Sequence, residues 1–161
     1  MKQRYDYLLE LVTARKCRLG CEIGLWYGRT FFHLLDHVPG LLLFGVDIWA
    51  PCNASHDTDQ AANRRDVYFR AATRSGARII EAESIQAANV FLPSSLDFVF
   101  IDADHAEESV RADIAAWRGK IRPGGLICGD DYDIPGVRAA VDSLIPAAAI
   151  EGGFFWWKEL G

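Results

Sequence analysis

Positive charge is in short supply. Seventeen Lys and Arg stand against 22 Asp and Glu, a formal net charge of −5. A chain without a basic stripe lacks the electrostatic footprint of a nucleic-acid or anionic-membrane binder. Long apolar runs are missing as well, and none approaches the roughly 20 residues of a membrane span. Residues 1–10 are polar and charged, with no secretory apolar segment or cleavage site. The four cysteines, Cys17, Cys21, Cys52 and Cys128, form no C-x-x-C pair. That argues against a structural zinc site or a disulfide framework and predicts a cytoplasmic chain. Internal repeats, low-complexity stretches and a G-x-G-x-x-G fingerprint are all lacking. What is present is ordinary for one globular domain: 161 residues, 50% hydrophobic and 24% charged.

The apolar residues come in short continuous runs, not in alternation. Residues 19–24 (LGCEIG), 41–46 (LLLFGV), 77–80, 97–101 (DFVFI) and 124–128 (GGLIC) have this form. Such runs fit strands buried on both faces, as in a parallel sheet. Helical spacing separates them, over 29–38, 60–75, 85–91, 107–119 and 135–144, and one helix leads the chain at about 5–15. Near the C-terminus, residues 147–150 and 154–158 flank Gly152-Gly153, which predicts an antiparallel hairpin. The expectation is a single α/β domain over residues 1–161, doubly wound and Rossmann-like. It has a mostly parallel seven-stranded sheet, an antiparallel C-terminal strand and helices on both faces. Residues 50–59 (APCNASHDTD) form a polar insertion after the second strand, placed to act as a lid.

Ligands in such sheets bind beyond the carboxyl ends of the strands. Four groups of residues fall there. Glu22, Gly24 and Gly28 lie in a strand-to-helix turn of spacing G-x-x-x-G, which favours a small anion over a pyrophosphate. Asp47 ends the second strand, where an acid accepts bonds from ribose hydroxyls. Asp102, Asp104 and His105 follow the fourth strand, and Asp130, Asp131 and Asp133 follow the fifth. Carboxylates converging on one edge repel each other and raise each other's pKa values. A hard divalent cation relieves that repulsion, and Mg²⁺ suits such ligands. Helix capping is the competing use of these acids, and Asp133 is read as the cap of the helix from 135. His33 and His37, four apart, have no evident third ligand on their face. His56 lies in the candidate lid. Trp26, Tyr27 and Trp49 fall in loops at the ligand edge.

Together these segments resemble the class I S-adenosylmethionine-dependent methyltransferases, in particular small members with the strand-end pattern DFVFIDADH. Residues 21–30 resemble that family's first motif, 46–47 its ribose-binding acid, 82–84 its adenine-side segment, and 121–132 (IRPGGLICGDDY) its fifth strand. The resemblance implies cofactor-binding roles for Glu22, Gly24, Gly28, Thr30, Asp47, Glu83, Ser84 and Asp102. It also implies a final antiparallel strand inserted between its neighbours. The pattern is similar to that of metal-dependent O-methyltransferases, both sugar-modifying and catechol types. Carried over, Asp102, Asp130 and Asp131 bind Mg²⁺. The base is Asp104 by the sugar-type alignment and His105 by the catechol-type one. Gly45 departs from the family, which carries a bulkier residue there, and so does the acidic Glu83.

The expected reaction transfers a methyl group from S-adenosylmethionine to the hydroxyl of a small molecule. A metal activates the hydroxyl and Asp104 or His105 takes its proton. No nucleic-acid or membrane partner is expected. With only one leading helix, the acceptor site is expected to be open or completed by a second copy in a homo-oligomer. Three other readings remain: a non-catalytic S-adenosylmethionine-binding module or partner subunit, a nucleotide-sugar transferase using Asp102-x-Asp104, and a nicotinamide-dependent oxidoreductase.

Overall fold

A computed structural model describes residues 2–50 and 59–161. The expected lid and His56 lie outside the described residues, apart from its ends, Ala50 and Asp59. Strands β1 (Leu19–Ile23), β2 (Leu42–Asp47), β3 (Ala77–Glu81), β4 (Leu96–Ile101) and β5 (Ile121–Gly129) run parallel. Strands β6 (Ala149–Glu151) and β7 (Phe155–Glu159) form the terminal hairpin around Gly152-Gly153. The order across the sheet is β3-β2-β1-β4-β5-β7-β6. Strand β7 is inserted antiparallel between β5 and β6, with Cys128 opposite Trp157. This is the Rossmann-like topology expected from the run pattern and from the resemblance.

The runs of β1, β2, β4 and β5 form the centre of the sheet because side chains on both faces are covered, whereas β3, expected to be buried as well, is an edge strand with Arg78 exposed. Along β4 the side chains alternate between two cores. Val99 and Ile101 pack with Val110, Ile114 and Trp117 of α5 (Glu107–Trp117) and with Val137 and Val141 of α6 (Pro135–Leu144). Phe98 and Phe100 face the other way. They join Leu8 and Val12 of α1 (Arg4–Ala14), Phe31, Phe32 and Leu34 of α2 (Arg29–His37) and Val67 of α3 (Gln60–Ala71). A short helix, α4 (Ser84–Ala88), completes the first face.

Several boundaries differ from the periodicity reading. Helix α3 stops at Ala71, and α5 passes into a 3₁₀ turn at Arg118–Lys120. Strand β5 begins at Ile121, ahead of the Pro123-Gly124-Gly125 bulge. Ile121 pairs with Leu96, and the register then shifts so that Leu126 faces Phe98. Asp133 does not cap α6. The N-cap is Ile134, with no side-chain cap, and Pro135 starts the helix with its fixed φ. His33 and His37 stack at 4.3 Å on α2, and no further metal-ligating side chain joins them among the described residues.

Gly45, the departure noted in β2, has a packing cause. A Cβ there would lie 2.6 Å from the Leu25 side chain, which is 3% exposed and sits two residues past the end of β1. The small residue in β2 thus makes room for the turn that leads into α2. Gly45→Val should destabilise the protein by about 1–3 kcal/mol, the cost of overpacking a core. Adding Leu25→Ala should recover part of that loss, because the two changes share one space. Urea denaturation of the two single variants and the double variant measures this coupling, and strict additivity would contradict it.

Candidate functional site

The carboxyl ends of β1, β2, β4 and β5 meet at one edge, and each strand delivers an acid there. The turn after β1 is built by Gly24, at φ +88°, a region that side-chain-bearing residues rarely enter. A Cβ on Gly24 would lie 2.1 Å from the carbonyl oxygen of Asp102, so the turn rests directly on the end of β4. Backbone bonds fix that contact: Gly24 N–H donates to Val46 O (2.9 Å) and Asp102 N–H to Ile23 O (2.8 Å). Gly28, at φ +73°, is the N-cap of α2, and Thr30 is buried in its first turn.

Asp47 braces this turn. Its Oδ2 accepts from the backbone N–H groups of Leu25 and Trp26, both at 2.8 Å, and its Oδ1 accepts from Trp49 N–H at 2.7 Å. Trp49 is itself held, with Nε1 donating to Trp26 O at 2.8 Å. The Trp49 indole is therefore packed into the loop. A carboxylate oxygen has room for about two bonds, so Oδ1 keeps capacity for a ligand hydroxyl.

Arg4 is the residue that sequence reasoning missed. From the first turn of α1 its Nε lies 3.1 Å from Asp102 Oδ2 and its Nη1 lies 2.9 Å from Asp130 Oδ2. Nε also lies 3.4 Å from Thr30 Oγ1. The sequence does hold a signal. Arg4, Leu8 and Val12 share one helical face, and the last two are fully buried, so Arg4 heads an apolar stripe.

The acids divide into groups. Glu22 is 2% exposed and its Oε2 has no hydrogen-bond partner. Burial, reinforced by Asp102, pushes its pKa well above the usual carboxylate range. Burial likewise raises Asp102 to about 8 and Asp130 to about 6, with the Arg4 charge opposing both shifts. Asp131 adopts φ +59° and places its carboxylate 2.9 Å from His105 Nε2. This bond raises the pKa of His105. Asp104 turns instead toward the start of α5. It accepts from Ser109 Oγ (2.6 Å) and from the His105 and Ala106 N–H groups (2.8 and 3.4 Å), and the Ser109 bond leads the lowering of its pKa.

Asp102, His105 and Asp131 therefore come together, each offering a ligand atom within 4.8 Å of the others. Asp130 is not in that group, because its carboxylate is turned to Arg4. The donor set of two carboxylates and an imidazole fits one divalent ion, of a more nitrogen-tolerant kind than Mg²⁺. At the start of α4, Glu83 is exposed. Ser84 is tied inward: its hydroxyl donates to Asp113 Oδ1 and accepts from Trp117 Nε1 at 2.9 Å. Asp113, buried within the apolar face of α5, is raised to about 6 by burial.

The raised groups set a sign for stability against pH. An acid whose folded pKa lies above its unfolded value, about 3.9 for Asp, binds more protons in the native state. Its stabilisation is full below the unfolded pKa and is lost as pH rises through the folded one. For Asp102, Asp113 and Asp130 that window runs from about pH 4 to pH 8. The raised His105 acts in the same direction at its upper end. The ligand-free protein should melt at a lower temperature at pH 8 than at pH 5. Asp102→Asn should flatten the decline, and a melting temperature that rises over this interval would contradict the electrostatics described. In the same apparatus, Asp47→Ala should cost about 1–3 kcal/mol without any ligand, because three turn N–H groups lose their acceptor.

Comparison with known proteins agrees with this architecture. A protein from Staphylococcus aureus proposed to be a caffeoyl-CoA O-methyltransferase superposes with a TM-score of 0.76 at 15% identity, over 100% of this chain and 85% of that one. A protein from Klebsiella pneumoniae proposed to be an O-methyltransferase gives 0.68 at 19% identity, over 98% and 79%. TrmN from Thermus thermophilus gives 0.69 at 16% identity, over 98% of this chain and 48% of that one. These likenesses establish the fold. A sequence search of curated proteins finds no match. The family model described as a methyltransferase domain matches residues 21–132, which run from the glycine turn to the Asp130-Asp131-Tyr132 segment. The chain thus belongs to this methyltransferase-domain family.

Proposed function

We propose that the protein methylates a hydroxyl oxygen of a small molecule with S-adenosylmethionine as donor. The observation that carries this reading is the convergence of Asp102, His105 and Asp131 beside a glycine turn that rests on Asp102 itself. When bound, S-adenosylmethionine supplies an electrophilic methyl group on a sulfonium and leaves as the neutral thioether.

The chain's own residues do the rest. Glu22, with one buried oxygen unpartnered, is available to a ligand ammonium group. Thr30 and the first turn of α2 suit a carboxylate. Asp47 Oδ1 accepts from a ribose hydroxyl while Oδ2 holds the turn. Gly24 and Gly28 shape the turn by packing on the Asp102 backbone and on the Phe32 ring. Glu83 lies on the adenine side, on a segment that Ser84 anchors to Asp113 and Trp117. Neutral His105 donates its Nε2 proton to Asp131, which leaves Nδ1 as the nitrogen that takes the acceptor's proton. Asp131 orients the ring and stabilises the imidazolium that forms. Asp104 is occupied by α5 and its lowered pKa suits a base poorly, so His105 is preferred of the two candidates. A homo-oligomer that covers the open acceptor side remains part of the proposal.

A second reading uses the same cluster as a metal centre, favoured by the 4.8 Å grouping. Asp102, His105 and Asp131 would hold the ion, which would lower the pKa of a coordinated hydroxyl.

Calorimetry with S-adenosylhomocysteine tests the donor: one site per chain is expected, weakened in Glu22→Gln, and no binding would overturn the proposal. On a verified acceptor, His105→Ala should lose roughly 10²–10⁴-fold in turnover and keep the cofactor affinity. Asp104→Asn should stay active. With His105 as base, wild-type turnover rises with pH through the raised His105 pKa, because only the neutral ring accepts a proton. A pH-independent rate across that range would remove His105 from the role.

A further inference from the structure

Two of the three acids that the family resemblance assigns to a metal are held by the chain itself. Arg4 reaches Asp102 with Nε and Asp130 with Nη1, at 3.1 and 2.9 Å. Asp130 is 6% exposed, and its second oxygen, Oδ1, is buried without a partner. A carboxylate so placed demands a nearby cation. Helix α1 provides one, pinned in position by Leu8 and Val12 in the core and by the Gln3–Asp6 capping box at its start. A guanidinium suits the task, since its planar fork serves two carboxylates at once.

We infer that Arg4 is the resident cation of this site: by bridging Asp102 and Asp130 it takes the place a divalent ion would need between them, which makes Asp130 the arginine's partner and not a metal ligand. Arg4 is then a positioning residue. It fixes Asp102 beneath the glycine turn and lies beside Thr30, and so it ties the leading helix to the edge where β1, β4 and β5 end. The inference does not depend on which group is methylated. It shares Asp102 with an ion held by Asp102, His105 and Asp131 and differs from that set at Asp130.

The test is Mn²⁺ binding by calorimetry to the full chain, without cofactor or acceptor. Asp130→Asn alone should leave the wild-type response unchanged. Arg4→Gln should bind Mn²⁺ at least roughly tenfold tighter than wild type, a modest share of what one unit charge at ion-pair distance is worth near an effective dielectric constant of 20. Adding Asp130→Asn should abolish the gain. Arg4→Met, which also removes the charge but keeps an apolar stem, should reproduce the gain if the glutamine variant folds poorly. Thermal melts should show the same pattern, with a rise of roughly 2–4 °C in the Arg4 variants at an ion concentration a few times the dissociation constant. A merely structural arginine would lower the melting temperature without creating Asp130-dependent ion binding. Wild-type binding that collapses in Asp130→Asn, or Arg4 variants that bind no tighter than wild type, would overturn the inference.

Discussion

Crowding of carboxylates at the end of a parallel sheet is the constraint on which the rest of this structure depends. Glu22, Asp102 and Asp130 are brought together because β1, β4 and β5 are neighbours running in one direction, and each carries an acid within one residue of its end. Burial raises all three. A fold gains nothing from such a cluster unless something compensates the charge. Here the compensation comes from Arg4, 98 residues before Asp102 and on the opposite side of the sheet from α5. The leading helix is therefore part of the site and not an ornament on the fold.

A second dependence runs through Asp47. Its carboxylate holds the turn after β1 by backbone bonds to Leu25 and Trp26 and closes the loop after β2 at Trp49. Gly45 lets Leu25 sit under the same turn. One strand end thus shapes the neighbouring strand's loop. A ligand that takes up the remaining capacity of Asp47 would meet a turn already formed, which lowers the ordering cost of binding.

Much of the fold was legible because parallel strands buried on both faces leave short apolar runs, which stand out in the sequence even where Glu22 and Arg78 interrupt them. The antiparallel hairpin was legible through Gly152-Gly153 and the aromatic run after it, and the insertion of its last strand between neighbours only through the family resemblance. The start of β5 was not, since a bulge at Pro123-Gly124-Gly125 overrides local pattern; α6 spans 135–144 as its spacing predicted, and only the cap by Asp133 failed. At the site, the types and order of the acids could be read, but not how they are shared. The Asp131–His105 bond joins residues 26 positions apart, and the Arg4–Asp130 bond joins residues 126 apart. Only the packing of α1 against α2 and of β4 against β5 decides those partnerships. Arg4 and Asp113 left a common trace, a charged residue on an apolar helical stripe, which marks a buried ion or hydrogen-bond network as readily as it marks a surface.

The proposed binding place of the methyl donor is this acid-lined edge, and a crystal structure of the protein with S-adenosylhomocysteine is the decisive measurement. The ligand is expected across the ends of β1, β2 and β4, with its amino-acid end between Glu22 and the first turn of α2 and its ribose at Asp47. A ligand bound elsewhere, or one that leaves Glu22 and Asp47 without contact, would rule this placement out.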